Sequence, residues 1–307
     1  MARKLRLEYP GAIYHVLNRG NYRAFVFRSL AARQAFEECL FEACERSKWL
    51  LHAFVVMGNH YHLALETPHG NLVAGMHWLQ GTFANRFNRF RGAHGHLFQG
   101  RYKSLLVEEG ERLGTLCHYI HLNPARADLV PIAHLASYRY SSYWYLHHPR
   151  QRPKFLRIET ALVAAGALGD NASGRSSYAS FLAWQLTAGP AGRSAAYESM
   201  SRGWALGGAE FKRSLLQDHE VAEEIRAWES DGARQVREAK WRLVLEKLMR
   251  EVPPKERADR RGSAPWKVNA AVAMKKTTDA DNRWLAAQLE IGSSRYLAKL
   301  VCNAKRR

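Results

Sequence analysis

The chain of 307 residues contains only four cysteines and no long apolar run. Cys39, Cys44, Cys117 and Cys302 form no C-x-x-C pair, which argues against a zinc ribbon or a disulfide framework. No stretch approaches the roughly 18 uninterrupted apolar residues of a membrane span. The basic N-terminus also lacks an apolar segment of signal-peptide length. We therefore expect a cytoplasmic protein with reduced thiols and no membrane partner.

Acidic residues are scarce relative to basic ones. The sequence has 46 Lys and Arg against 28 Asp and Glu, a formal net charge of +18, while its hydrophobic fraction of 47% is enough for a sizeable core. Such an excess of positive charge predicts a polyanionic partner, with nucleic acid first and an anionic membrane surface second. A merely basic protein would have the same composition.

Histidines are concentrated in the first 150 residues, which hold 13 of the 14. Strands are predicted there at 12–18, 50–57, 60–66 and 97–107, and helices at 29–47, 71–91 and 111–123, the last one stopped by Pro124. This order, β-α-β-β-α-β-α, predicts an α+β fold with a ferredoxin-like antiparallel sheet and one extra helix.

The remaining chain is predicted to be mostly α-helical. A first domain at 1–150 would end in the linker HHPRQRPK at 147–154, and a helical accessory region would follow at 151–250. A charged linker is expected at 251–265. Residues 266–307 form a candidate helix-turn-helix DNA-binding tail, although an ordinary αα-hairpin fits the pattern equally well.

Two histidines alternate on the strand predicted at 60–66. Because residues two apart share a face of a strand, His60 and His62 project together, with Glu66 further along, while Tyr61 and Leu63 turn towards the core. Two such imidazoles can bind one divalent metal and leave positions open for phosphate oxygens. Taken alone, an H-x-H pair is more often two hydrogen-bonded surface groups.

A tyrosine and an asparagine lie four residues apart near the end of the helix predicted at 111–123. Tyr119 and Asn123 therefore share one helical face. The tyrosine offers a nucleophilic oxygen and the asparagine a carbonyl oxygen for a metal. An isolated tyrosine would more simply be a partly buried aromatic residue with a satisfied hydroxyl.

Two segments mix cations with aromatic residues and amides, at 86–91 and 94–104. This composition suits phosphate contacts and base stacking, and it makes Arg86, Arg89, Arg101 and Lys103 candidates for DNA binding. The second H-x-H, at 94–96, lies in a glycine-rich turn and is a weaker candidate than the pair on the strand.

These blocks together resemble the REP-associated tyrosine transposases of the single-tyrosine HUH superfamily. The resemblance covers roughly residues 5–150 and is carried by YHVLNRGNYRAFVF (14–27), VVMGNHYHLALETP (55–68), GHLFQGRYKSLLVEE (95–109), YIHLNPARADLV (119–130) and YRYSSYWYL (138–146).

The resemblance implies a role for each matching residue. His60 and His62 correspond to the HUH pair that binds Mg or Mn, and Tyr119 corresponds to the nucleophile. Asn123 stands where the superfamily places a polar metal ligand, a position at which many relatives have Gln. Gly58 replaces the Pro that commonly precedes Asn-His. Arg19, with the two cations at 101 and 103, is a candidate for holding the DNA backbone.

The resemblance also implies a function. Such a protein would be a metal-dependent single-strand DNA endonuclease and strand transferase, a transposase that acts as a homodimer on palindromic hairpin DNA. It would form a 5′-phosphotyrosine, leave a free 3′-OH and consume no nucleotide cofactor. We expect it in the cytoplasm, associated with the nucleoid.

The sequence leaves three alternatives open. A non-catalytic regulator derived from a transposase would bind the same hairpins without cleaving them. An RNA-binding module shares the ferredoxin-like plan, but the aromatic signature of RNA-recognition strands is missing. A membrane-surface role is the weakest alternative, because no strongly basic amphipathic helix stands out.

Overall fold

Alternating apolar residues near the N-terminus form the central strands of a mostly antiparallel sheet. The strands are β1 (Ala12–Arg19), β2 (Leu50–Val56), β3 (His60–Thr67), β4 (Lys103–Val107) and β5 (Ala205–Leu206). Their order in the sheet is β2-β3-β1-β4-β5, and β5 is parallel to β4. The predicted α+β fold with an antiparallel sheet is confirmed in this computed structural model. The two-residue strand β5 was not predicted.

Helices cover both faces of this sheet. They are α1 (Leu30–Ser47), α2 (Leu72–Arg91), α3 (Glu111–Arg126), α4 (Ser142–His147), α5 (Glu159–Ala164) and α6 (Ala172–Thr187). On one face, Phe36 of α1 packs against Tyr61 of β3 with ring centroids 4.6 Å apart, and Phe83 of α2 lies 5.2 Å from Phe36. Helix α3 packs on the opposite face, against β2 and β3.

The α1–α2 layer depends on one close approach. Trp49, between α1 and β2, is fully buried, and its Nε1 donates a hydrogen bond to Asn71 Oδ1 at 2.8 Å. A Cβ on Gly75 of α2 would lie 2.1 Å from the Trp49 ring, so this position requires glycine. The indole therefore ties the end of α1 to the start of α2.

Two predicted boundaries were wrong. The strand predicted at 97–107 begins only at Lys103, because Gly100 adopts φ +66° and the preceding loop folds back so that Gln99 N donates to Arg19 O at 2.8 Å. Helix α3 continues through Pro124 to Arg126. A proline in the last turn removes a single helical hydrogen bond, which the helix tolerates.

The structure describes residues 7–187, 197, 200, 201, 203–218 and 230–305. The chain forms two compact units, Leu5–Gly208 and one that includes Ala209–Arg307. The predicted boundary after residue 150 falls inside the first unit, where Leu51 N donates to Phe155 O at 2.9 Å and Arg157 N donates to Leu51 O at 2.8 Å. The division of the chain into functional domains stays a prediction.

The second unit is helical in its described part. Its helices are α7 (Ala209–Asp218), α8 (Ser230–Glu251), α9 (Pro254–Arg257), α10 (Pro265–Thr277), α11 (Asn282–Gln288) and α12 (Ser294–Lys305). Helices α10, α11 and α12 share a core that includes Met274, Leu285 and Leu297. Helices α11 and α12 lie where the helix-turn-helix was predicted, and its DNA-binding role stays a prediction. None of the described helices is long and apolar enough to cross a bilayer.

Candidate active site

His60 and His62 lie side by side on β3, on the sheet face that α3 covers. Their ring centroids are 5.1 Å apart and their planes are nearly perpendicular, at 88°. The strand register places Arg19 opposite His60 and Leu17 opposite His62. The side chain of His62 is almost completely buried, with 4% exposed, whereas His60 is half-buried. The sheet therefore brings the two imidazoles together as their spacing predicts.

Helix α3 places Tyr119 beside this pair. The Tyr119 ring meets His62 edge-on, with centroids 5.6 Å apart and planes at 89°. Its hydroxyl lies 3.4 Å from Ser201 Oγ, and 8% of the residue is exposed. One turn later, Asn123 Nδ2 donates to the Tyr119 carbonyl at 3.1 Å. An amide nitrogen only donates, so Oδ1 is the Asn123 atom that could ligate a metal.

A third histidine, which the sequence analysis did not single out, fixes the ring of His62. His15 of β1 lies 2.9 Å from His62, Nε2 to Nδ1, and its own Nδ1 lies 2.6 Å from the Met200 carbonyl. A carbonyl oxygen only accepts, so His15 Nδ1 donates to it, and the Nε2 of a neutral His15 accepts from His62 Nδ1. The unprotonated nitrogen of His62 is then Nε2.

The same reasoning applies to His60. Its Nδ1 lies 2.7 Å from Asn59 Oδ1, which can only accept, so Nδ1 carries the proton and Nε2 keeps a lone pair. Neighbouring side chains therefore set both histidines in the tautomer that leaves Nε2 unprotonated, as a metal bound at Nε2 would need.

The surroundings keep these imidazoles neutral. Burial, followed by the charge of Arg19, lowers the pKa of His60 to about 4. Burial also lowers the pKa of His62 well below its usual range, with smaller contributions from His15, His60 and Arg126. Burial lowers the pKa of His15 to about 4. Neutral imidazoles at pH 7 are the form that binds a metal ion.

The residues present could hold a divalent ion, with a ligand set that the protein alone does not complete. Among the described residues, no three His, Cys, Asp or Glu side chains gather closely enough to enclose a metal. His60 and His62 supply two nitrogens, and the Asn123 oxygen is the candidate third ligand. Such a site would leave positions for water and phosphate oxygens, as magnesium and manganese sites on nucleic acid substrates do.

Tyr119 also lies beside a cation, Arg126, and a second aromatic ring, Tyr197. The Arg126 guanidinium lies 5.3 Å from the centroid of Tyr119 and 4.9 Å from that of Tyr197, and the two tyrosine rings are 5.7 Å apart. The i, i+7 spacing of Tyr119 and Arg126 predicts this contact only for a helix that continues past Pro124, as α3 does.

Two of the predicted DNA-binding cations lie on the active-site face. Arg19 stands opposite His60 and donates from Nε and Nη2 to Gln99 Oε1 at 3.1 and 2.9 Å. Lys103 stands opposite Leu17, and its charge contributes to lowering the pKa of His15, after burial. Arg101 is exposed in the loop before β4.

The other two predicted cations lie on α2, in the layer on the opposite face of the sheet. The Arg86 guanidinium binds Glu42 of α1 at 3.0 and 2.9 Å, while Arg89 is exposed in the last turn. Glu66 does not join the histidine pair either, since it lies 3.4 Å from His52 of β2.

Two more histidines of α3 belong to a buried polar cluster. His118 and His121 both contact the Tyr178 hydroxyl through Nδ1, at 2.9 and 2.8 Å. His121 Nε2 also lies 2.7 Å from Ser142 Oγ, which accepts from Phe54 N at 2.9 Å. These contacts join α3, α4, α6 and β2, and the cluster is structural.

One family model matches the part of the chain that holds these residues. Residues 9–123, which contain both histidines, the tyrosine and the asparagine, match the family described as "Transposase IS200 like". The match confirms the predicted resemblance to transposases over these residues. No curated protein matches the chain in sequence.

Two solved structures are similar to the chain. A REP-associated tyrosine transposase bound to a REP hairpin has a TM-score of 0.41 and 15% identity, and the match covers 50% of this chain and 89% of that one. A candidate transposase from Deinococcus radiodurans R1 has a TM-score of 0.29 and 22% identity, and the match covers 42% of this chain and 92% of that one. At these levels neither likeness establishes a function for this chain.

Proposed function

We propose that the IS200-like transposase domain of residues 9–123 is a metal-dependent endonuclease and strand transferase for single-stranded DNA, with Tyr119 as its nucleophile. The observation that carries the proposal is the contact of Tyr119 with His62, at 5.6 Å between ring centroids, beside a histidine pair whose Nε2 atoms hold lone pairs.

His60, His62 and Asn123 would hold a magnesium or manganese ion. When bound, such an ion stabilises charge that develops on the phosphate and on the leaving oxygen. His15 and Asn59 orient the two imidazoles through their Nδ1 atoms. No nucleotide cofactor enters the proposal.

The reaction exchanges one phosphoester for another. The Tyr119 oxygen forms a bond to phosphorus, and the bond from phosphorus to the 3′ oxygen breaks. The phenol loses a proton and the 3′ oxygen gains one, so the products are a 5′-phosphotyrosine and a free 3′-OH. Arg126, 5.3 Å from the centroid of the Tyr119 ring, would offset negative charge that develops at the site during attack. Attack by a different 3′-OH on the phosphotyrosine then joins strands.

The positive charge of the chain supports a nucleic acid partner. Arg19, Arg101 and Lys103 would hold the DNA backbone near the histidines, where phosphate contacts fix register without reading sequence. Helix α12 exposes Arg295, Tyr296 and Lys299, which suits the proposed DNA-binding tail. We further propose palindromic hairpin DNA as substrate, a homodimer as the active form, and a location in the cytoplasm at the nucleoid.

A covalent-adduct assay tests the proposal. Full-length protein is mixed with labelled single-stranded hairpin DNA from the flanks of its gene, with Mn or Mg, and run on a denaturing gel. We expect a slow-migrating adduct that disappears on chelation and in Tyr119→Phe. Tyr197 supplies the matched control, because its ring centroid lies 5.7 Å from that of Tyr119. Tyr197→Phe removes a neighbouring hydroxyl and should keep the adduct.

Two outcomes would contradict the proposal. An adduct that persists in Tyr119→Phe would assign the nucleophile elsewhere. Tight hairpin binding without an adduct, across several flanking sequences, would instead favour the non-catalytic regulator.

A further inference from the structure

A cavity of about 650 Å³ opens between the start of α1 and the end of α2, within the first unit. Phe83 and Phe87 of α2 line it, and Phe25 and Phe90 stand at its rim with 67% and 80% of their surface exposed. Its volume falls in the range typical of ligand pockets. Aromatic rings left this exposed around one cavity indicate a binding surface.

Cations are interleaved with these rings. Arg28, Arg86 and Arg91 also line the cavity, and the described residues that line it include no acidic one. Arg86 is held by Glu42, whereas the Arg91 guanidinium lies 5.8 Å from the centroid of Phe87. Alternating aromatic faces and guanidinium groups are the features with which proteins bind unpaired bases and their phosphates.

The rim of the cavity contacts the turn that precedes His60. Phe27 N donates to Gly58 O at 3.0 Å. A Cβ on Gly58 would lie 3.1 Å from Phe25 Cδ1, so the missing side chain lets the Phe25 ring rest on this turn. Gly58 is also the position at which the chain departs from the proline of the resembled motif. The glycine at position 58 and the exposed Phe25 ring therefore belong to one local arrangement.

We propose that this cavity binds an unpaired nucleobase of the DNA strand, outside the nucleotide that reacts at Tyr119. The inference rests on the proposed function, which supplies a single strand at the histidine site. A second copy of the chain is a poorer occupant, because a self-complementary contact would bring Arg28, Arg86 and Arg91 against the same cations. A DNA strand brings opposite charge and flat rings.

Binding of two strands that differ only in their bases tests the proposal. The probes are a fluorescein-labelled oligo-dT of about 20 nucleotides and an abasic strand of the same length, which has the same phosphates. Anisotropy is measured with full-length protein, at one salt concentration and with chelator. We expect Phe90→Ala to weaken oligo-dT binding about tenfold, because it removes a ring that would stack on one base. Binding of the abasic strand should stay unchanged. Phe90→Trp should restore the affinity.

Trp184→Ala is the matched control, because it removes an exposed ring, 56% accessible, from α6. It should leave both affinities unchanged, and Phe25→Ala should repeat the loss seen at position 90. Equal losses for the two strands, no loss in Phe90→Ala, or no binding of oligo-dT by the wild type would each overturn the inference. Since chelator prevents cleavage, a failed adduct assay and a failed stacking assay are separate results.

Discussion

Replacing His15 tests whether its hydrogen bond prepares His62 for a metal. In His15→Phe the aromatic volume is largely kept, but His62 Nδ1 loses the acceptor that lies at 2.9 Å. The His62 ring is then free to adopt the other tautomer or to rotate, so part of the protein presents a protonated Nε2 to the metal. Losing such an orienting partner typically weakens metal binding about 10- to 100-fold, or about 1.4–2.7 kcal/mol.

Manganese binding measures this effect without any turnover. Metal-free, full-length protein is titrated with Mn²⁺ while the signal of free Mn²⁺ is followed by electron paramagnetic resonance. His15→Phe should raise the Kd by the factor given above, and His15→Gln should raise it less. A glutamine can still accept from His62 and donate to the Met200 carbonyl, which His15 Nδ1 contacts at 2.6 Å.

His52→Gln is the control for removing a buried histidine from the same sheet. His52 lies on β2, 7% exposed, with its Nδ1 2.8 Å from Thr160 Oγ1, so its loss should leave the Mn²⁺ affinity unchanged. An unchanged Kd in His15→Phe, with the fold intact by circular dichroism, would refute the positioning role of His15.

Two stability predictions concern α3, and urea unfolding of the metal-free protein measures both. A Cβ on Gly114 would lie 2.1 Å from the Cβ of Ala164 in α5, so Gly114→Ala should destabilise the protein by about 1–3 kcal/mol. The control is Gly81→Ala on α2, where the added Cβ meets open space, and it should stabilise the protein by up to about 1 kcal/mol. A loss at Gly81 equal to that at Gly114 would contradict this packing. Burial lowers the pKa of His118 to about 4 and of His121 to about 3, so stability is full above pH 6.5 and falls as the pH drops from there towards 4. For each group the slope grows to about 1.4 kcal/mol per pH unit below pH 6.5. Between pH 7.5 and 5.5, the free energy of unfolding of His121→Gln should therefore fall by about 1.4 kcal/mol less than that of the wild type. Equal losses would show that His121 is not neutral in the fold.

Local periodicity was sufficient to predict most of the fold and the faces that the candidate site residues share, whereas their proposed roles came from the resemblance to transposases. Alternation on β3 placed His60 and His62 on one face, and helical spacing placed Tyr119 and Asn123 on one side of α3. Such relations extend over a few residues, so they can be derived from the chain before any tertiary contact is known.

The remaining features depend on contacts between distant segments. His15 reaches His62 only because β1 pairs with β3 in a particular register, and its Nδ1 is fixed by the carbonyl of Met200, 185 residues later. The two residues of β5 carry no strand pattern of their own and pair with β4 after a long connection. The contact of Phe25 with Gly58 likewise joins a loop to a turn 33 positions away.

Histidine content alone does not separate candidate ligands from structural groups in this protein. His15 and His121 are as buried as His62, but each has both ring nitrogens engaged: His15 by Met200 and His62, and His121 by Tyr178 and Ser142. The hydrogen bonds of His60 and His62 run through Nδ1, which leaves Nε2 for a metal. A histidine bound on both nitrogens can position a neighbour or stabilise the core, but it cannot ligate a metal without breaking a buried hydrogen bond. The engaged nitrogens therefore favour His60 and His62 over His15 and His121 as metal ligands, and they depend on tertiary partners that cannot be derived from composition.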